Sequence, residues 1–483
     1  MKPPIFNLIM KYVAKQRIKF CTPGHKGKIR MKTDNLCRID IENIPSGDKL
    51  NIMDSVLQSQ EEVAGIFASS KSYYLTGGTD AGIYATLASL CSPGDKIIVD
   101  PECGKAIINA ITILALQPVF LKRSYCSKFG INGGISTEKI ESVTNAHPDA
   151  KLVVVTSPSY YGVCANIKKI ASVAHEKNML VMVDESFGAH FALSKSLPEA
   201  ALDSGADIVV QSLSKTLGGF SGCALLHLGH TIDFDTKTSI EANLDIYQGG
   251  ATSTAMLCAA ENILFYAFTN SAKYNTLLKE IERGKEIINQ RTNLTWFDAE
   301  YDNECDINIT DPTKIVFNFS EVNIDASEAY DIFTNKYGIE PDFADENNLV
   351  FSLSMYNTPS EIRKLINSCL VLDKLISPIE ETPDTEEEFV AELFDAGPKA
   401  VMSPYKAFYS SSEVVDIDDS VGKICKRVIC RLPQGTPIII PGEKISQEQI
   451  ETIKNLINRG AKIHGLNGKR LIEVLTLSDS FYF

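Results

Sequence analysis

The stretch Gln211-Ser212-Leu213-Ser214-Lys215-Thr216-Leu217-Gly218-Gly219 sets a lysine among hydroxyls at the end of an apolar run. That run, Ile208-Val209-Val210, reads as a buried strand. Buried strands avoid lysine because its ammonium is costly to desolvate. A partly desolvated lysine can act as a nucleophile on a carbonyl carbon. The plain alternative is a lysine that leaves the strand and reaches water. Gly218 and Gly219 would let another group approach the backbone closely.

Two other segments carry groups that complement such an amine. Tyr74 to Gly82 contains Gly77-Gly78-Thr79-Asp80 just before a helical pattern. Free backbone N–H groups at a glycine-led helix start make an anion pocket. An ordinary N-cap by Thr79 or Asp80 is the competing reading. Asp184 ends a third segment, after the apolar run Met179 to Val183 and before Glu185-Ser186-Phe187-Gly188-Ala189-His190. A carboxylate facing a pyridinium nitrogen keeps that nitrogen protonated, although strand-end aspartates also cap turns. Lys215 follows Asp184 after one crossover, so both are expected at one edge of a sheet. An anion pocket, a ring-nitrogen carboxylate and a Schiff-base lysine, in that order, are what pyridoxal 5'-phosphate needs. The expected cofactor contacts are Gly78, Thr79, Asp80, Thr156, Asp184, Ser186, Phe187, Ser212, Ser214 and Lys215. The expected catalytic residues are Lys215, Asp184 and His190.

These groups need a scaffold. From about residue 51 to 255 short apolar runs alternate with helical patterns: Lys96 to Val99, Pro118 to Leu121, Leu152 to Val155, Met179 to Val183 and Ile208 to Val210. Nearly all-apolar strands separated by helices imply a mainly parallel sheet covered on both faces. In such sheets ligands bind beyond the carboxyl ends of the strands. The α/β reading therefore places the segments after Val155, Val183 and Val210 at one rim. Residues 1–50 read as an N-terminal arm and 256–376 as a smaller α+β unit, with helices near Asn275 to Gln290 and Ser360 to Ile376. Residues 377–388 read as an acidic linker and 389–483 as a C-terminal α/β unit.

The bulk composition is that of a globular protein, 44% hydrophobic and 22% charged over 483 residues. A net charge of −14 argues against nucleic acid as a partner. No long apolar segment or cleavage signal opens the chain, so no membrane span or export is expected, and a cytoplasmic location is. The twelve cysteines form no C-x-x-C pairs and do not cluster with histidine. Neither a metal site nor a disulfide scaffold is expected, and most cysteines read as small core residues.

With these residues in view, the chain resembles the Orn/Lys/Arg decarboxylase family within the aspartate-aminotransferase fold. The resemblance rests on Thr22-Pro23-Gly24-His25-Lys26-Gly27, Gly78-Thr79, Pro93-Gly94-Asp95-Lys96, Thr156 to Gly162, Asp184-Glu185, Gly188-Ala189-His190, Gln211-Ser212 and Lys215-Thr216-Leu217. Ser403-Pro404, Ala407-Phe408 and Pro441-Gly442-Glu443 extend it to the C-terminal part. It implies a large domain of the pyridoxal-phosphate transferase type, decarboxylation of arginine, lysine or ornithine, and a homodimer with active sites near the interface. It also suggests that His25 sits near a neighbouring subunit's site, a turn-stabilising role being the alternative. The chain is similar to the short members, which lack an extra N-terminal domain.

The departures from the family pattern fall in the site. Gly104 stands where a stacking histidine is usual, Phe187 and Ser214 replace two more histidines, and Asp80 replaces a phosphate-loop serine. Gly249-Gly250-Ala251-Thr252 stands in place of a T-S-P-S run. Two function classes therefore stay open. One is a pyridoxal-phosphate enzyme on an amino acid, a decarboxylase first and an aminotransferase or other lyase second. The other is a non-catalytic paralogue serving as a structural or regulatory partner.

Overall fold

The computed structural model describes residues 4–28, 38–41, 51–249, 253–299, 305–379, 400–432, 435–458, 461–468 and 470–476. Most of the acidic linker, and Gly250-Ala251-Thr252, lie outside them.

Seven strands build the large sheet: β1 (Lys71–Leu75), β2 (Lys96–Val99), β3 (Gln117–Phe120), β4 (Leu152–Thr156), β5 (Leu180–Asp184), β6 (Ile208–Ser212) and β7 (Ala224–Leu228). Their spatial order is β1-β7-β6-β5-β4-β2-β3. All pairings from β6 to β3 are parallel, and β7 runs antiparallel to both β6 and β1. The runs expected from apolar content lie within two residues of the observed strands. β1 and β7 were not expected, because Lys71 and Ser72 in one and His227 in the other break the apolar pattern. Val153, Val154, Val181, Met182, Val209 and Val210 are fully buried, which is why these β-rich runs carry almost no polar residues before their last positions.

Helix α1 (Gly78–Leu90) lies close on the sheet. A Cβ at Gly82 would come within 2.8 Å of Leu75 Cδ1 and 2.9 Å of Val210 Cγ1. Only glycine permits this approach, and it sets the helix N-terminus at the carboxyl rim of β6.

A smaller antiparallel sheet joins Thr295–Trp296, Lys314–Asn318, Asn348–Ser352 and Phe343–Ala344. Helices Ala272–Arg291, Ala326–Asn335 and Pro359–Asp373 bury Tyr274, Phe333 and Leu365 against it. The last of these starts with a full capping box between Thr358 and Glu361. The C-terminal part carries a three-stranded sheet, Ile429–Leu432, Thr436–Ile439 and Lys462–His464, with helix Gln447–Asn458. It meets the large sheet's helices through a Lys105 Nζ···His464 Nε2 contact of 2.8 Å.

The N-terminal segment is built into the fold. Ile18–Lys19 pairs in parallel with Ile339–Glu340, and Ser352 N–H donates to the Phe20 carbonyl at 2.7 Å. Cys126 and Cys305 form a disulfide with Cα atoms 5.2 Å apart, a pairing not expected from their spacing. Cys103, Cys164, Cys369 and Cys425 are buried thiols, as expected.

Two buried polar systems hold the sheet. Asp100, just past β2, receives Arg123 Nε at 2.8 Å and Nη2 at 2.6 Å, and neither side chain is more than 1% exposed. Arg123 also donates to the carbonyls of Gly133 and Thr156, and Asp100 accepts the Thr156 N–H. The second system crosses four strands. Glu185 accepts Ala201 N–H and Gln211 Nε2, Gln211 Oε1 meets His227 Nε2, and His227 Nδ1 meets Ser72 Oγ. Burial pushes the Glu185 carboxyl up to about 8, against the hydrogen bonds from Gln211 and Ala201. Burial likewise pushes the His227 imidazole down to about 3.

Arg123→Met would strand the buried Asp100 carboxylate and should cost about 3–5 kcal/mol. The expected result is a clearly lower urea midpoint, and an unchanged midpoint would refute the role. Glu185 binds its proton more tightly when folded than when unfolded. Its contribution to stability is thus present below pH 4.5 and is lost as pH rises to about 8. Glu185→Gln cannot ionise, so unfolding midpoints measured across that range should fall less steeply than in the wild type.

Candidate active site

The strand ends set the site. Thr156 pairs with Asp184, and Asp184 with Val210, so the tips of β4, β5 and β6 stand side by side. Ser157 N–H donates to the Asp184 carbonyl at 3.1 Å. Beyond β6 the chain turns through Leu213 to Gly219, closed by a Gly219 N–H to Leu213 carbonyl bond of 2.8 Å. Lys215 sits in this turn, half-buried, between buried Ser214 and Thr216.

The close approach expected at Gly218 and Gly219 is made by the N-terminal segment. Gly24 N–H donates to the Ser214 carbonyl at 2.8 Å. A Cβ on Gly24 would lie 2.9 Å from the Lys215 carbonyl oxygen and 3.1 Å from Gly218 N. The Thr22-to-Gly27 segment thus covers the lysine turn of its own chain. His25 Nδ1 accepts the Gly27 N–H at 2.9 Å and its ring stands edge-on to Phe220. That is the turn-stabilising placement; the described chain gives no view of a neighbouring subunit.

Asp184 is buried, and its Oδ1 accepts the Ser186 N–H at 3.1 Å and the Ser186 hydroxyl. Burial raises its carboxyl, the Ser186 bonds lower it, Asp80 raises it and Lys215 lowers it, with a net rise. A cationic ring N–H facing this carboxylate would offset that desolvation. Asp80, in the first turn of α1, belongs to the same electrostatic group. Partial desolvation raises its carboxyl, while its own backbone N–H and the Lys105 charge oppose the rise.

Of the residues expected to form the anion pocket, Gly78 does not offer a free N–H. Gly77 caps α1 with no side-chain hydrogen bond, and Gly78 N–H is taken by the Gly222 carbonyl at 2.8 Å, with Thr79 next in line. Ser212 and Ser214 hydroxyls lie 3.0 Å apart and bond to each other. Thr156 Oγ1 and Thr216 Oγ1 are buried without a hydrogen-bond partner, a costly state that a ligand group would relieve. A Cβ at Gly104 would meet nothing within 4 Å, so the position of the missing imidazole is open space. These residues fit a phosphorylated pyridine aldehyde.

Phe187 is flanked by cations. Lys215 Nζ lies 5.3 Å from its ring centroid and Lys314 Nζ 4.5 Å. Tyr160 meets the same ring edge-on at 4.8 Å. His190 lies elsewhere, buried with Nε2 at 3.3 Å from Asp311 Oδ1 and 3.2 Å from Thr313 Oγ1, its ring against Phe191 and Tyr274. Burial pushes the Asp311 carboxyl up, but His190 and Thr313 outweigh it and hold it low. His190 thus links the large sheet to the segment Asp311-Pro312-Thr313-Lys314. Sequence reasoning missed Lys314, Asp342 and Arg123. The only signal for Lys314 was a lysine opening an apolar strand, the same oddity that drew attention to Lys215.

Among the described residues no helix is long and apolar enough to cross a membrane, and no group of three or more His, Cys, Asp or Glu is placed to hold a metal.

Comparison with known proteins agrees with this architecture. An arginine decarboxylase from Halalkalibacterium halodurans is 27% identical over 477 residues, covering 96% of this chain and 95% of the relative. The constitutive lysine decarboxylase of E. coli superposes with a TM-score of 0.74 at 18% identity, over 98% of this chain and 82% of that one. A structure of SPT with PLP gives a TM-score of 0.56 at 12% identity, over 74% of this chain and 87% of that one. The family model for the Orn/Lys/Arg decarboxylase major domain matches residues 3–299, and that for the C-terminal domain matches residues 387–466. The chain belongs to the Orn/Lys/Arg decarboxylase family.

Proposed function

We propose that the protein is a pyridoxal-phosphate-dependent decarboxylase of a basic amino acid, releasing an amine and carbon dioxide. The observation that carries this reading is the juxtaposition at one sheet rim of a buried Asp184, paired with Val210 of the adjacent strand, and the Lys215 turn that follows that strand, whose lysine charge lowers the Asp184 carboxyl against its burial. A non-catalytic paralogue would have no need to keep a buried carboxylate at such a cost. Lys215 would hold the cofactor's aldehyde carbon, Asp184 its ring nitrogen, and the α1 N-terminus with Ser212 and Ser214 its phosphate. When bound, the cofactor's ring supplies an electron sink for the bond that releases the carboxylate. Asp184 keeps a proton on the nitrogen that makes this sink effective. Phe187 and Tyr160 line the rim with apolar surface, and the Thr22-to-Gly27 segment keeps water from the lysine turn. Open space at Gly104 replaces an acid–base imidazole, so turnover is expected to be slow, since such a group typically contributes 10²–10⁴-fold. A homodimer and a cytoplasmic location belong to the same proposal; sedimentation of the purified chain as a monomer would remove the first.

With added pyridoxal phosphate the protein should show a yellow absorption band that borohydride fixes onto Lys215, seen by peptide mapping. Lys215→Ala should lose both band and label, and full turnover by this variant would sink the assignment. Asp184→Asn should retain the cofactor but lose about 10²–10³-fold in turnover. Carbon dioxide release should appear with arginine, lysine or ornithine; none from any of the three would overturn the decarboxylase reading.

A further inference from the structure

Lys314 opens a strand of the smaller sheet, yet its ammonium ends beside the lysine turn of the large domain. It is buried, with 2% of its side chain exposed. Its Nζ donates to Ser352 Oγ at 2.5 Å and reaches Asp342 Oδ2 at 3.5 Å. On its other side lie two aromatic faces, Tyr160 at 4.9 Å and Phe187 at 4.5 Å from ring centroid to Nζ. Asp342 is held in turn by the Thr22 N–H at 3.2 Å, and Lys26 donates to the Ser352 carbonyl at 2.7 Å. The ammonium is therefore fixed in place by the same residues that seat the N-terminal cover.

Phe187 carries a second cation, Lys215 Nζ. A ring quadrupole attracts cations over its face and fixes their relative placement. We propose that Lys314 is a positioning residue for the Lys215 site: clamped by Asp342 and Ser352, it fixes the Phe187–Tyr160 ring pair against which the Lys215 amine rests, and places its ammonium beside it. This inference rests on the cofactor reading above.

The charged and titratable groups around Phe187 are Lys215 from the turn after β6, Tyr160 from the segment after β4, Lys314 with Asp342 from the smaller sheet, and Asp184 on its own segment. Among them Lys314 is a cation that the chemistry itself does not use. Removing its charge should ease protonation of the nitrogen joining Lys215 to the cofactor. The pH at which the yellow band changes form should then rise by roughly one unit.

The experiment compares wild type, Lys314→Met and Lys314→Arg by pH titration of the visible band and by the rate at which borohydride fixes pyridoxal phosphate onto Lys215. Lys314→Met should shift the titration upward and, at a pH below both midpoints where the joining nitrogen is protonated in every variant, slow labelling about tenfold, and Lys314→Arg should restore both toward wild type. Should Lys314→Met fail to fold, as judged by far-ultraviolet circular dichroism, Phe187→Leu removes the ring with little change in volume and should slow labelling likewise. A Lys314→Met titration and labelling rate equal to wild type would overturn the inference, as would Phe187→Leu labelling at the wild-type rate. Absence of a band in the wild type would instead overturn the cofactor reading, and the inference with it.

Discussion

The Asp100–Arg123 pair holds together the ground on which the site stands. Two strand ends and a turn converge on it: the tip of β2, the tip of β4 through both N–H and carbonyl of Thr156, and the turn at Gly133 through its carbonyl. Neither charge is in contact with water. A buried ion pair is a poor source of net stability, but its geometry is demanding once formed, because either partner alone is severely destabilised. The consequence is a rim whose backbone cannot drift. Asp184 is aligned beside Thr156 on that rim, so the carboxylate proposed to face the cofactor ring takes its place from a pair outside the proposed site.

Charge is distributed around this rim in layers. Carboxylates at 80 and 184 lie on the large-domain side, and lysines at 26 and 314 meet at Ser352 on the small-domain side, one at its carbonyl and the other at its hydroxyl. The aromatic residues 160 and 187 separate them. The loss of three histidines relative to the family pattern leaves no imidazole among the residues of this layer that touch the Lys215 turn. What remains is lysine amines, carboxylates raised by burial, and aromatic walls.

The strands that carry the site were legible because burial on both faces of a parallel sheet demands an unbroken apolar run, and a polar residue at its end then stands out. Asp184, Thr156 and Lys215 were found in this way. β1 and β7 escaped because each contributes to the buried Glu185–Gln211–His227–Ser72 chain, and polar residues satisfied by one another look, in sequence, like solvent-facing ones. Lys314 and Asp342 escaped for a different reason. Their role depends on the smaller sheet being docked against the large one, a relation between residues that no local pattern encodes. His190 shows the converse: the motif around it is legible, but its partners, Asp311 and Thr313, are set by the same docking.

The cover over the lysine turn has a consequence in time. Lys26 is anchored to Ser352 across 326 residues of chain, and the Gly24 carbonyl accepts the Ser354 hydroxyl from farther still. At the usual 5–20 residues per second of synthesis, about 16–65 s pass between the emergence of the two ends. The whole large sheet, lysine turn included, leaves the ribosome before its cover has anything to be fastened to. During that interval the Ile18–Lys19 strand has no Ile339–Glu340 partner to pair with, and the lysine turn of the nascent chain has its cover still unfastened.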